Sequence, residues 1–329
     1  MWSFIARRLG TMLFTVWVIT LISFAVIQLP PGDYATDMVN RMRQNSGGAI
    51  SPELEARIRS QYGLDQPFHM QYFFWMRDIV TRGDFGYSFT YQRDAGALMW
   101  ERLPMSFALS FAALLISWLI AMPFGIYSAV KKYSLIDYAL NTLAFAGLAI
   151  PSFLLALICL FISYRVTGRA ALGLFSPEFA DAPWSWAKIT NMLQHLWIPV
   201  LIVGLGSTAG LIRTMRANLS DELNKPYVNT ARAKGLSESR VLIKYPVRHS
   251  MHPFISMIGW LLPTLVSGEA IVSIVLNLPT SGPILYNALL AEDMFLAAGF
   301  ILMLSVLTVI GAFISDLLLA WLDPRIRLA

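Results

Sequence analysis

Charge is missing from long stretches of this chain. Residues 10–29, 103–130, 138–164 and 294–315 contain no Asp, Glu, Lys or Arg, residues 189–212 add only His195, and residues 253–277 hold only Glu269. Charged residues make up 14% of the sequence and hydrophobic ones 56%, with a mean hydropathy of +0.57. Soluble domains carry about 25% charged residues, so a water-soluble globular protein is excluded. A helix needs about 20 apolar residues to cross a bilayer, and each of the six stretches is long enough. The sequence predicts an all-α polytopic membrane protein with six transmembrane helices.

Cysteine is as scarce. Cys159 stands alone within the third run, so no disulfide within the chain and no cysteine-based metal cluster can form. Catalytic signatures are missing too. None of the six lysines precedes Ser or Thr, which removes the phosphate-cradling P-loop and with it ATP hydrolysis by this chain. No His precedes Glu, which removes the two-histidine zinc motif, and there is no Gly-x-Ser-x-Gly nucleophile elbow. His249 and His252 lie three apart without a third ligand nearby, whereas catalytic zinc sites take three protein ligands. No catalytic residue, metal or cofactor is expected on this chain. The first run is too long for a signal-peptide core, and no small-x-small cleavage site precedes "VIQLPPGD".

Basic residues are present, and their placement is informative. Arg7 and Arg8, Lys131 and Lys132, Arg325 and Arg327, and the eight cations Arg213, Arg216, Lys225, Arg232, Lys234, Arg240, Lys244 and Arg248 fall on alternate sides of the runs from the 276–293 loop, which has no Lys or Arg. Cytoplasmic loops carry the excess of Lys and Arg, so both termini are expected in the cytoplasm. The net charge of +5 is then a topological signal, and no nucleic-acid partner is implied. Three parts follow: a tail and first span (1–29), an element outside the membrane (30–102), and a core with five spans (103–329) that includes a cytoplasmic segment at 217–250.

In the element between the first two spans, "SPELEARIRSQYG" has Ser51 as an N-cap, Pro52 at the first helical position and Gly63 as a stop. The stretch after it holds Tyr72, Phe73, Phe74 and Trp75. It reads either as an aromatic belt at the headgroups or as a platform for an external partner. Trp184 and Trp186 read as interface anchors, Pro123, Pro151, Pro199 and Pro263 as breaks or bends, and Gly204, Gly206 and Gly210 as close helix packing. The segment "DELNKPYVNTARAKGLSESRVLIKYPVRHS" is helix-compatible up to residue 233, with a restart at Pro226. Gly235 suits a left-handed helix end, Ser237 suits the next N-cap, and Leu236 with Val241 suits a hydrophobic staple. The pattern is helix, tight Gly turn, helix, which is the form of a shaped docking element.

"YVNTARAKGLSESRVLIKYPVRHSMHP" resembles the EAA-loop signature of permease subunits of binding-protein-dependent ABC importers, in the form used by the dipeptide, oligopeptide and nickel branch. "RRLGTMLFTVWVITLISFAVIQLPPGD", "YGLDQPFHMQYFFWM", "RGDFGYSF", "STAGLIRTMRANLSDEL" and "LLLAWLDPRIRL" resemble further parts of that branch in the same order. The resemblance implies the B-type permease of a pair, with the type I importer permease fold and a periplasmic element between the first two spans. It further implies a bacterial inner-membrane location, a homologous second permease subunit, two cytoplasmic ABC ATPase subunits that bind ATP and Mg, and a periplasmic solute-binding protein. It makes Asn229, Thr230, Ala231, Arg232, Ala233, Lys234, Gly235 and Leu236 the ATPase-coupling residues. Asn229, Thr230 and Ala231 stand where the general pattern has Glu-Ala-Ala, which removes one possible salt bridge to the ATPase. The solute expected is an oligopeptide, with an oligosaccharide, an opine-like compound or nickel as alternatives. An ATP-independent carrier or scaffold is the more distant alternative.

Glu269 is the one acidic residue at depth in a span. A charge near a helix centre costs about 2.5–3.5 kcal/mol on insertion scales, so it reads as lining a pathway or a subunit contact, or else as sitting near the interface. Ser267 and Gly268 beside it permit close approach, and Asn277 joins them as a candidate pathway residue.

Overall fold

The computed structural model describes residues 2–28, 39, 52–61, 65–168, 172–179, 182–257 and 270–322. In chain order the helices are α1 (Trp2–Gln28), α2 (Pro52–Gln61), α3 (Phe68–Arg82), α4 (Ala95–Val130), α5 (Leu135–Ala149), α6 (Ser152–Thr167), α7 (Trp186–Glu222), α8 (Pro226–Ala233), α9 (Glu238–Leu242), α10 (Arg248–Ser250), α11 (Ala270–Val275), α12 (Ser281–Leu290) and α13 (Met294–Leu322). Two short strands, β1 (Tyr87–Ser88) and β2 (Arg93–Asp94), pair antiparallel between α3 and α4. The chain divides into two compact units, one made of residues 2–103 and 284–309, the other of 104–283 and 310–329.

In the first unit α3 lies on α1. Phe24 of α1 is buried against Phe68, Tyr72 and Trp75, with ring centroids 5.0, 5.6 and 5.6 Å apart. The Tyr72 hydroxyl is 2.6 Å from the Thr20 hydroxyl. Of the aromatic stretch expected at the headgroups or under a partner, Tyr72 and Trp75 therefore pack within the unit, while Phe73 is exposed. The helix spacing explains the split, because residues three apart share a face and Phe73 points away from it. Gly83 ends α3 at φ +67, its N–H bonded to Ile79 O. The N-cap and stop expected at Ser51 and Gly63 lie outside the described residues. Asp293, 2% exposed, accepts hydrogen bonds from the Ser88 hydroxyl (2.6 Å), the Thr90 N–H (3.1 Å) and the Leu296 N–H (3.4 Å). One buried carboxylate thus caps α13 and fastens the strand pair to it. A buried charge is tolerated when hydrogen bonds replace its water.

The second unit is built around α7. Gly204 of α7 meets α4 so closely that an added Cβ would lie 3.2 Å from Ala113 O and Ser117 Oγ. Nearer the other end of the same helix pair, Gly125 of α4 leaves room for Met215, and a Cβ there would lie 2.5 Å from Met215 Cβ. Ala113 with Gly204 and Gly125 with Met215 set α4 and α7 running in parallel. Gly206 and Gly210, the Gly-x-x-x-Gly pair, have nothing within 4 Å of an added Cβ among the described residues. The packing expected of all three glycines holds for Gly204 alone within this chain. Residues two apart on a helix point about 200° away from each other, so Gly206 cannot share the Gly204 face.

Among the described residues, four helices are long and apolar enough to cross a membrane: Ile5–Val26 of α1, then α4, α7 and Met294–Trp321 of α13. The third uncharged run is two helices of 15 and 16 residues, α5 and α6, bent by 94° at the break expected at Pro151. Pro151 disfavours helical backbone at the residue before it, and Ile150 is extended at φ −88, ψ 119. If the bent pair is one span the count is five. Residues 258–269 of the remaining expected span, Pro263 among them, lie outside the described residues. Pro123 and Pro199 sit inside helices that continue through them.

Candidate functional site

The segment after α7 folds as a hairpin of short helices. α7 ends at Glu222, and Pro226 restarts the chain as the first residue of α8, where its missing N–H costs nothing. Gly235 turns at φ +77, with its N–H bonded to Arg232 O at 2.9 Å. Ser237 occupies the N-cap position of α9 in extended conformation, yet its hydroxyl makes no capping bond. The expected cap holds in backbone only. The staple holds fully, since Leu236 packs with the buried Val241.

Val228, Ala231 and Val241 form the centre of the hairpin, exposed 0%, 4% and 0%. Tyr227, Leu236 and Tyr245 surround them. Ala231 is small because α8 and α9 close over it, so its side chain contributes to the hairpin's own core and not to an outer surface. Tyr227 donates a short hydrogen bond to Glu222 across the α7–α8 corner. Burial first, and then the neighbouring Glu222 carboxylate, push the Tyr227 hydroxyl above its ordinary pKa, so it is a protonated donor throughout the physiological range.

The residues left facing outward are Asn229, Thr230, Arg232, Ala233 and Lys234, together with Gly235. Arg232 reaches back over the turn, its Nε donating to Glu238 Oε1 at 2.8 Å and its Nη1 approaching Asn229 Oδ1 at 3.5 Å. Arg232 and Glu238 are 40% and 71% exposed, and exposed pairs contribute at most about 1 kcal/mol. Glu238→Gln should therefore leave the thermal midpoint of the purified protein within about 2 °C of the parent, as differential scanning fluorimetry in detergent would check.

After α9 the chain passes through a π turn at Ile243–Val247 that contains Pro246. Proline has no N–H for the helical ladder, and a π bulge absorbs the lost bond. Leu242, Val247, Met251 and Phe254 then pack on Met215 and Leu219 of α7 and on Ala121 and Ala129 of α4. The hairpin thus shares an apolar core with the end of two long helices. His249 and His252 meet as rings, 5.9 Å apart.

Of the candidate pathway residues, Glu269, Ser267 and Gly268 lie outside the described residues. Asn277 is exposed at φ +52 and ends α11. Leu278 N–H bonds Ser273 O across it at 2.8 Å, the bond that closes a left-handed helix end. The Lys188 ammonium, which sequence reasoning did not single out, sits 4.9 Å from the Phe175 ring and 5.3 Å from the Trp184 ring and donates to Ala182 O. That contact gives Trp184 a role within its own loop, while Trp186 is 82% exposed.

A second group missed by sequence reasoning is Asp137 with Arg216. Asp137 is buried near the start of α5 and pairs through both oxygens with the Arg216 guanidinium of α7. Seventy-nine positions separate the two, and no local pattern joins them.

Comparison with known proteins covers nearly the whole chain. Residues 121–328 match the family described as binding-protein-dependent transport system inner membrane component, and residues 1–110 match the family of N-terminal parts of such membrane components. The oligopeptide transport system permease protein AppB of Bacillus subtilis is 32% identical over 310 residues, covering 94% of each chain. The di/tripeptide transport system permease protein DppB of Pseudomonas aeruginosa is 29% identical over 99% of each chain. The peptidoglycan transport system permease protein YejB of Agrobacterium fabrum is 31% identical, over 99% of this chain and 98% of its own.

Proposed function

The chain belongs to the family of binding-protein-dependent transport system inner membrane components, and from that premise we propose that it is the permease subunit that forms half of the solute pathway of an ATP-driven peptide importer. The names of its relatives, oligopeptide and di/tripeptide transport permeases, support an oligopeptide as solute. A homologous second permease completes the pathway, a periplasmic binding protein delivers the solute, and two cytoplasmic ATPases supply the energy. In this reading the six uncharged runs are six spans, and the distribution of basic residues puts both termini in the cytoplasm.

The observation that carries this reading is the hairpin. A lipid-binding loop needs a basic amphipathic stripe and no fixed bend. Here Pro226, Gly235 at φ +77 and the buried Val228, Ala231 and Val241 build a bend with its own core. The outward residues Asn229, Ala233 and Lys234 form its tip, and Leu242 at the end of α9 joins a second apolar cluster with α7 and α4. Such a tip can receive a displacement from an ATPase and pass it to two long helices. A ligand-driven change of state requires contacts that differ between the states, and the tip is the surface that would make them.

The experiment is affinity purification of the tagged chain, expressed with its neighbouring transport subunits, in mild detergent. ATPase subunits are expected in the eluate at stoichiometric yield. A folded chain that elutes with the second permease but without any ATPase would show the reading to be wrong.

A further inference from the structure

The apolar cluster that joins Leu242 of α9 and the π turn to α4 and α7 reaches α5 poorly. Among the described residues, the only part of α5 in that cluster is the partly buried Ala144. α5 packs closely along α7, and at the end of α7 a polar contact joins them. Asp137 Oδ1 accepts from Arg216 Nε at 3.1 Å and from Asn141 Nδ2 at 2.6 Å. Its Oδ2 accepts from Arg216 Nη2 at 2.9 Å and from the Tyr133 N–H at 2.9 Å. Both oxygens are used twice, and the carboxylate side chain is 2% exposed.

The geometry has three consequences. A two-pronged guanidinium–carboxylate pair fixes orientation as well as distance, which a single contact does not. Tyr133 stands at φ +62, a left-handed conformation uncommon for a bulky residue, and the Asp137 carboxylate holds its N–H there. The turn between α4 and α5 is thereby fastened to Arg216. Arg216 in turn lies six residues before Glu222, whose carboxylate binds Tyr227 of the hairpin. A continuous path of hydrogen-bonded side chains and one rigid helix leads from the hairpin's first residues to α5.

We propose that the Asp137–Arg216 pair is the link by which α5 follows the end of α7 when the hairpin is driven. Asp137 and Arg216 are then positioning residues for transport, acting through helix placement and not through contact with solute. The proposal rests on the importer reading above.

The test uses the whole complex in proteoliposomes with its binding protein. Asp137→Asn and Arg216→Lys are each compared with the parent, and uptake per ATP hydrolysed is taken per assembled complex. Both variants are expected to lower that ratio by about tenfold. A second readout is the distance between spin labels on Cys at position 143 of α5 and position 234 of the hairpin, in a Cys159→Ser background. Leu143 and Lys234 are both exposed. That distance should stay constant between nucleotide-free and ATP-bound states with the pair intact, and should change between them in Asp137→Asn.

A ratio equal to the parent's in both single variants would overturn the proposal, and so would a label distance that changes between states in the parent. A single variant that fails to assemble leaves the parent's label distance and the other variant to decide. Failure of the importer reading is distinct, because ATPase would then be missing from the unsubstituted complex as well.

Discussion

Ala231→Phe should abolish uptake while the chain remains in the membrane. The methyl of Ala231 is 4% exposed between Val228 and Val241, and no phenyl ring fits there without parting α8 from α9. Overfilling a packed core costs about 1–3 kcal/mol, and the hairpin is small enough for that to displace its tip. ATPase recovered with the tagged chain is expected to fall by about tenfold, since about 1.4 kcal/mol is a factor of ten in an equilibrium. Quantitative blotting of the eluate reads this. Ala233→Phe on the outward face serves as the contrast. It leaves the hairpin core alone, so any loss it causes belongs to the contact with the ATPase.

Gly125→Leu should sharply lower the amount of folded protein, and Gly206→Ala should be silent. At Gly125 an added Cβ would lie 2.5 Å from Met215 Cβ and 3.0 Å from Ile212 O. Neither atom is the end of a flexible side chain, so α4 and α7 must separate. The cost is expected at about 3 kcal/mol, the upper part of the range for overpacked cores, against less than about 0.5 kcal/mol at Gly206, where nothing lies within 4 Å. Folded yield by fluorescence-detected size exclusion, with thermal midpoints, separates the two. Equal behaviour would mean that α4 and α7 do not cross at Gly125.

Much of this arrangement was legible in the sequence, because it rests on local chemistry. The uncharged runs gave the long helices, and Pro226 and Gly235 gave the restart and the left-handed turn that the hairpin contains. Leu236 and Val241 announced their contact by spacing alone. The rest depends on contacts that spacing does not encode. Asp137 reads in sequence as a first-turn acid of an ordinary helix, and only the fold brings Arg216 to it. Asp293 reads as a loop residue, yet it holds a strand pair 205 positions away through Ser88. Hydropathy is blind to the break at Ile150–Pro151, since both halves are equally apolar, and Pro151 is the one residue that signals it. Ser237 shows the reverse failure, with the right residue type in the capping position and no capping bond. Asn277 reads in sequence as a polar pathway candidate, and its left-handed backbone, which spacing does not announce, also ends α11.

The most direct measurement is a nucleotide-dependent cross-link at the hairpin tip. In a Cys159→Ser background, Lys234→Cys places one thiol on the exposed tip, and a short bifunctional reagent is added to membranes that contain the whole complex. The expected result is a single covalent product of this chain with an ATPase subunit, whose yield differs between the nucleotide-free and ATP-bound states. A cysteine at position 143, exposed on α5, should give none. No product with an ATPase from position 234 in either state, in membranes where the ATPase is shown to be present and uptake proceeds, would contradict the assignment of the hairpin as the driven element.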